Sequence, residues 1–227
     1  MNAPIEFEQT DARWRDVMYS NHGDTGQTIG KEGCGPTCAA MVVATLRPKA
    51  GVTPKEAADW SVKHGYQSYD DGTYWAYFAA YMAWYGIPCR RTDSPEEAIA
   101  ALRQNYMVIS AMGTGMWTSG GHFILAYGIT GSKVKIHDPN SEASYRELGE
   151  LARYCAEAKQ YWIIPEDWKV ETKIITVKDL TRAKNVQVTA VNIGGNNYVK
   201  LRDLERLAPI LVGNEGATPT VRINYKE

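Results

Sequence analysis

The chain has 227 residues, with 25 Lys and Arg against 26 Asp and Glu, a formal net charge of −1 and a pI near 6.4. A balance of that kind leaves no electrostatic footprint for DNA or RNA, so nucleic acid is not expected as a partner. Among the aromatic residues 14 Tyr and 7 Trp outnumber 3 Phe, a bias toward rings with a polar handle that suits a groove holding a polar, extended ligand.

The length fits one catalytic domain with a small appendage. The start, Met1 to Gln9, has no basic segment followed by an apolar one, and no later stretch is apolar for long enough to span a bilayer. A chain made in the cytoplasm, without membrane contact, is the expectation. Four cysteines, Cys34, Cys38, Cys89 and Cys155, are too few and too scattered for a disulfide framework.

In chain order, residues 1 to 30 read as a short strand or turn followed by a polar loop from Ser20 to Gly30. A helix is predicted from Cys34 to just before Pro48, apolar almost all round and hence buried, with Pro36 in its first turn. Thr53 as cap, Pro54 at the first helical position and Glu56 three residues after the cap open a second helix that runs to His64. Tyr74 to Tyr85 reads as a third, stopped by Gly86 and Pro88, and Ser94-Pro95-Glu96-Glu97 caps a fourth that runs to Asn105. The period then changes to strands at Met107 to Met112, His122 to Ile129 and Lys133 to His137, with a turn at Thr130-Gly131-Ser132. A helix over Leu148 to Ala158 and a strand over Tyr161 to Ile164 close an α+β domain over residues 1–168. From Lys169 onward β-branched and polar residues alternate around a Gly-Gly-Asn-Asn turn, which predicts a small, strand-rich module with one short helix over 169–227.

The chemistry centres on Cys34. A thiol attacks well at neutral pH when its pKa falls below about 8.5, and a helix N-terminus favours the thiolate. Gly33-Cys34-Gly35-Pro36 puts the cysteine at such a terminus, where Gly33 and Gly35 are expected to let a substrate backbone approach and the first amides to face an oxyanion. Cys38, Cys89 and Cys155 have no partner motif and read as structural; no other Cys or His stands at metal-ligand spacing, so neither metal nor cofactor is expected.

Of the four histidines, His122 heads a strand after Thr118-Ser119-Gly120-Gly121, a glycine-lined entry that keeps its imidazole accessible. His22 and His64 read as surface residues, and His137 is the rival. If the turn at Gly131 makes a hairpin, His122 and Asp138 come to one edge of the sheet, and Asp138 can accept the second ring N–H while His137 faces the other way. Aromatic residues between Tyr66 and Tyr85, together with Met112 to Trp117, are candidates to line the groove, Trp117 and Gly121 among the substrate contacts.

Gln9-Thr10-Asp11 with Trp14, Gly33-Cys34-Gly35-Pro36-Thr37 with Ala40-Met41, Thr53-Pro54, Gly121-His122-Phe123-Ile124 and Asp138-Pro139-Asn140 together resemble the double-glycine, bacteriocin-processing-like cysteine peptidases of the papain-like superfamily. The resemblance spans residues 5 to 165 and implies a papain-like fold, with N-terminal helices packed on an antiparallel sheet. It also implies a triad of Cys34, His122 and Asp138 with Gln9 as oxyanion donor. The segment Val191 to Leu204, with Gly213 and Pro219-Thr220-Val221, resembles the small module appended to cell-wall amidases and endolysins of phages infecting clostridia-like bacteria. That resemblance implies attachment to a wall polymer, or self-association into a homo-oligomer.

These readings lead to a phage-type endolysin that cuts amide bonds in peptidoglycan stem peptides through an acyl-enzyme thioester, released to the cell wall from the cytoplasm. A leader-processing cysteine protease and a non-catalytic papain-like binding module are the alternatives. The nucleophile alone leaves peptidase, amidase and acyl transferase open.

Overall fold

The computed structural model describes residues 3–140 and 146–166 together with the backbone of strands within 171–223. The chain divides into two compact units, Met1–Trp168 and Lys169–Glu227.

The first unit is built on helix α2 (Cys34–Leu46), in which Cys38 through Val43 are wholly buried. Such a helix has no polar face to give to water, so it must be covered on every side. It packs with α3 (Pro54–Lys63), α4 (Tyr77–Trp84) and one face of an antiparallel six-stranded sheet. The start of α3 follows its capping signature, with the Thr53 N–H donating to the Glu56 carboxylate at 3.0 Å and Pro54 leading the helix. Helix α5 (Pro95–Arg103) begins where the Ser94 hydroxyl accepts from the Glu97 N–H at 3.2 Å.

The sheet runs β1 (Arg90–Thr92), β6 (Ala158–Ile164), β2 (Met107–Met112), β3 (His122–Thr130), β4 (Lys133–His137), β5 (Leu148–Glu150). In the central strand β2, Met107, Ile109 and Ala111 join the α2 cluster, while Val108 and Met112 join Ala98, Ala101 and Leu102 of α5 on the other face. Two covered faces explain why β2 reads as one apolar run and not as an alternation. Its one polar residue, Ser110, is satisfied by the Tyr154 hydroxyl at 2.5 Å.

Several features of the first unit depart from the sequence expectation. A four-residue helix α1 (Ile29–Glu32) closes the polar loop, held by Ile29, which is fully buried and donates its N–H to Val17 O at 2.9 Å. One turn is too short to carry a periodic signal. Strand β1 also went unread, because its pairing is entirely with the distant β6. The stretch predicted as one helix from Leu148 divides into β5, which borders β4, and α6 (Leu151–Glu157). Helix α4 starts at Tyr77, since Tyr74 donates its N–H to Tyr66 O at 2.8 Å and is held out of the helix.

The second unit contains an antiparallel sheet of β7 (Glu171–Asp179), β8 (Lys184–Ile193) and β9 (Asn196–Val199), and a pair, β10 (Ile210–Glu215) with β11 (Thr218–Ile223). Asn196 and Asn197, expected in a turn, pair with Ile193 and Asn192. The expected short helix lies outside the described residues. Among the described residues no helix is long and apolar enough to cross a membrane.

Where α2 meets the sheet, a Cβ on Gly35 would lie 2.8 Å from Thr73 Oγ1, 3.0 Å from Thr73 Cβ and 3.4 Å from the Phe123 ring. The substitution Gly35→Ala is therefore expected to destabilise the protein by about 2 kcal/mol, the scale of core overpacking. Thermal denaturation should register this as a fall in Tm of roughly 4–8 °C.

Candidate active site

Cys34 opens α2 with Gly33 as the residue before it, and its side chain is half-buried at the wall of a cleft of about 490 Å³. Both flanking glycines are buried, and neither lines that cleft. A Cβ on Gly33 would fall 2.5 Å from Ile29 O, and one on Gly35 would strike Thr73, so both glycines serve close packing of the chain on itself.

His122 begins β3 and Asp138 follows the last residue of β4, so the β3–β4 hairpin carries both to one end. The hairpin turns at Gly131, whose φ of 58° lies in the left-handed region that glycine adopts freely. His122 Nε2 donates to Asp138 Oδ1 at 2.7 Å. The Cys34 side chain also lies close enough to His122 to raise its pKa. Cys34 and His122 share the cleft wall and Asp138 is bonded to the imidazole, with His122 8% and Asp138 2% exposed.

Burial alone pushes the His122 pKa down, but hydrogen bonds to Asp138 and to Cys34, with their negative charges, outweigh it and raise it to about 9. The imidazolium therefore persists through neutral pH. The other cysteines do not compete. Burial pushes Cys38 well up, Cys89 to about 12 and Cys155 upward.

Gln9 lines the cleft beside Cys34 although only 1% exposed. Its backbone N–H donates to Pro139 O at 2.7 Å and its Nε2 donates to Gly30 O at 2.9 Å. A carbonyl can only accept, so the contact with Gly30 orients the amide and leaves one further N–H on Nε2. The side-chain Oε1 is buried without a partner.

Gly121 and Trp117 line the cleft with Gly120, His122 and Asn140. A Cβ on Gly120 or Gly121 would meet nothing within 4 Å, so this wall is open to a ligand. Trp117 is 2% exposed, with its ring against Gly149 and edge-on to Tyr154; it forms the wall and offers no face for stacking. The exposed aromatic of the cleft is Trp75, 40% exposed, with the Arg91 guanidinium over its ring at 5.1 Å. The sequence reading held Trp75 only within a longer aromatic segment, because apolar spacing alone does not reveal which rings face a groove.

His137 faces away, with Nδ1 3.0 Å from Glu6 Oε1, Nε2 3.2 Å from Pro4 O, and its ring stacked on Tyr127. Arg146, absent from the sequence reading, has its Nε 2.7 Å from Asp138 Oδ2. No motif could have singled it out, since its position beside Asp138 depends on how β5 meets β4. Among the described residues no three His, Cys, Asp or Glu gather as a metal site.

The pH dependence has a definite sign. Because the folded pKa of His122 stands above the ordinary 6.5, the stability it contributes is fully present below pH 6.5 and is lost as pH rises through about 9. An NMR titration of the His122 ring should give a midpoint near 9, and in Asp138→Asn a midpoint moved toward 6.5.

Residues 14–166 match the family described as Peptidase_C39 like. No curated protein matches the chain. Among solved structures the chain is similar to the peptidase domain of Streptococcus ComA, a bi-functional ABC transporter involved in a quorum sensing pathway, at 16% identity and a TM-score of 0.42, covering 60% of this chain and 93% of that one. The family match takes in more than half of the 227 residues, and the protein belongs to the Peptidase_C39 like family, a family of cysteine peptidases with a papain-like fold.

Proposed function

We propose that the protein hydrolyses amide bonds in the stem peptides of peptidoglycan, with Cys34 as nucleophile, His122 as acid and base, Asp138 as the orienting carboxylate and Gln9 as an oxyanion donor. The observation that carries this reading is His122, bonded to Asp138, on the wall of an open cleft that Cys34 also lines. The Cys34 thiolate attacks the amide carbonyl, and the tetrahedral oxyanion takes hydrogen bonds from the Cys34 backbone N–H and the free N–H of Gln9 Nε2. Protonated His122 then gives its proton to the leaving amine. The thioester left on Cys34 is cleaved by water, which His122, now neutral, deprotonates.

Two features support a wall peptide as substrate. The cleft carries charges of both signs, Lys31 and Lys159 with Glu32 and Asp71, which suits stem peptides bearing both amines and carboxylates. The resemblance of the second unit to endolysin modules supports residues 169–227 as the part that binds a wall polymer or a second copy of the chain. The family itself equally supports a second reading, a protease that processes peptide leaders.

Purified Gram-positive walls should lose turbidity with the native protein and not with Cys34→Ala, and mass spectrometry of the released fragments should identify the amide cut. Failure of the native protein to clear walls from several hosts sinks the endolysin reading and moves the search to leader peptides. On whichever substrate is cleaved, Gln9→Ala should lower kcat on the order of 10²–10³-fold with little change in KM, the usual loss on removing one oxyanion donor.

A further inference from the structure

Asp138 is fully enclosed, and its two oxygens are held differently. Oδ1 accepts from His122 Nε2 at 2.7 Å and from the Asn140 N–H at 3.0 Å. Oδ2 faces Arg146 Nε at 2.7 Å, close enough for an ion pair although off the hydrogen-bond line. The same guanidinium donates through its Nη2 to the Trp117 carbonyl, and Trp117 Nε1 donates back to Arg146 O at 3.0 Å. The Trp117 ring packs so closely on Gly149 that a Cβ there would lie 2.5 Å from ring carbon Cζ2. The cleft wall at Trp117, the start of β5 and the carboxylate of Asp138 are thus tied together through one side chain, which is only 16% exposed.

Two physical arguments give this tie a role. The terminal torsion of an aspartate is soft, so a carboxylate held on one oxygen can swing that oxygen off its acceptor line. A planar guanidinium anchored through Nη2 on the Trp117 carbonyl holds its charge fixed beside Oδ2 and resists such a swing, which a freely rotating ammonium does not. A buried carboxylate facing only His122 would also lack a fixed countercharge whenever His122 gives up its proton, and Arg146 remains charged throughout.

We propose that Arg146 is a positioning residue that holds the Asp138 carboxylate toward His122 and couples it to the cleft wall at Trp117. The proposal rests on the Cys34–His122–Asp138 reading. Among the described residues, the charged and titratable groups about Asp138 are His122 from β3, Arg146 ahead of β5 and, beyond His122, Cys34 with buried Cys38 on α2.

The test needs no substrate. Iodoacetamide alkylation of Cys34, followed by mass spectrometry of its peptide between pH 5 and pH 10, reports how far the imidazolium sustains the thiolate. In Arg146→Met the rate at pH 6 should fall about tenfold and meet the wild-type rate near pH 10. Arg146→Lys, which keeps the charge without the fork, should fall about threefold at pH 6. Thermal melting accompanies each variant; if Arg146→Met does not fold, Arg146→Lys decides. Asp138→Asn separates the two levels of the argument. A wild-type profile in the Arg146 variants with a slowed Asp138→Asn overturns the role of Arg146 alone. A wild-type profile in Asp138→Asn overturns the reading beneath it as well.

Discussion

The site depends on how closely the first turn of α2 can approach the sheet. Gly35 lies against Thr73 and Phe123 with no room for a methyl group, and Phe123 is the neighbour of His122 on β3. Bringing Cys34 and His122 together on one cleft wall requires that the helix start and the strand end be closely seated, and side-chain rotamers have little slack to correct an error in the backbone. The buried flank of α2, Cys38 to Val43, makes that seating rigid, because sliding the helix would open voids along its whole length.

The second requirement is electrostatic. Behind the cleft wall lie an imidazole, a carboxylate and a guanidinium in sequence, with Asp138 between His122 and Arg146. Isolated charges in such a place would be costly, and each here has a partner of opposite sign. The consequence for chemistry is the raised His122, which holds its proton through neutral pH beside Cys34. Gln9 belongs to the same construction. Its backbone is bonded to Pro139, next to Asp138, and its side chain to Gly30, just ahead of α2, so the N-terminal segment bridges the two elements that supply the acid and the thiol.

Much of this was legible before any coordinates. Helix α2 announced itself by an apolar run that began at a Gly-Cys-Gly-Pro turn, α3 and α5 by their caps, and β3 and β4 by short apolar runs around Gly131. The prediction that His122 and Asp138 meet while His137 turns away required only the period of two and the hairpin turn. These are local signals; even His122 and Asp138 stand only 16 residues apart in the chain.

What the sequence by itself determined was therefore the inventory and order of the chemistry: a cysteine at a helix start, a histidine at a strand head after two glycines, and an aspartate one hairpin later. The tertiary structure decided what depends on distant neighbours. It gave Gly33 and Gly35 to internal packing, buried Trp117 while leaving Trp75 exposed, divided the segment from Leu148 into β5 and α6, and brought Arg146 to Asp138. Each of these outcomes follows from a contact between residues far apart in the chain, and steric room at such a contact is a property of the folded surface that no local pattern of residues encodes.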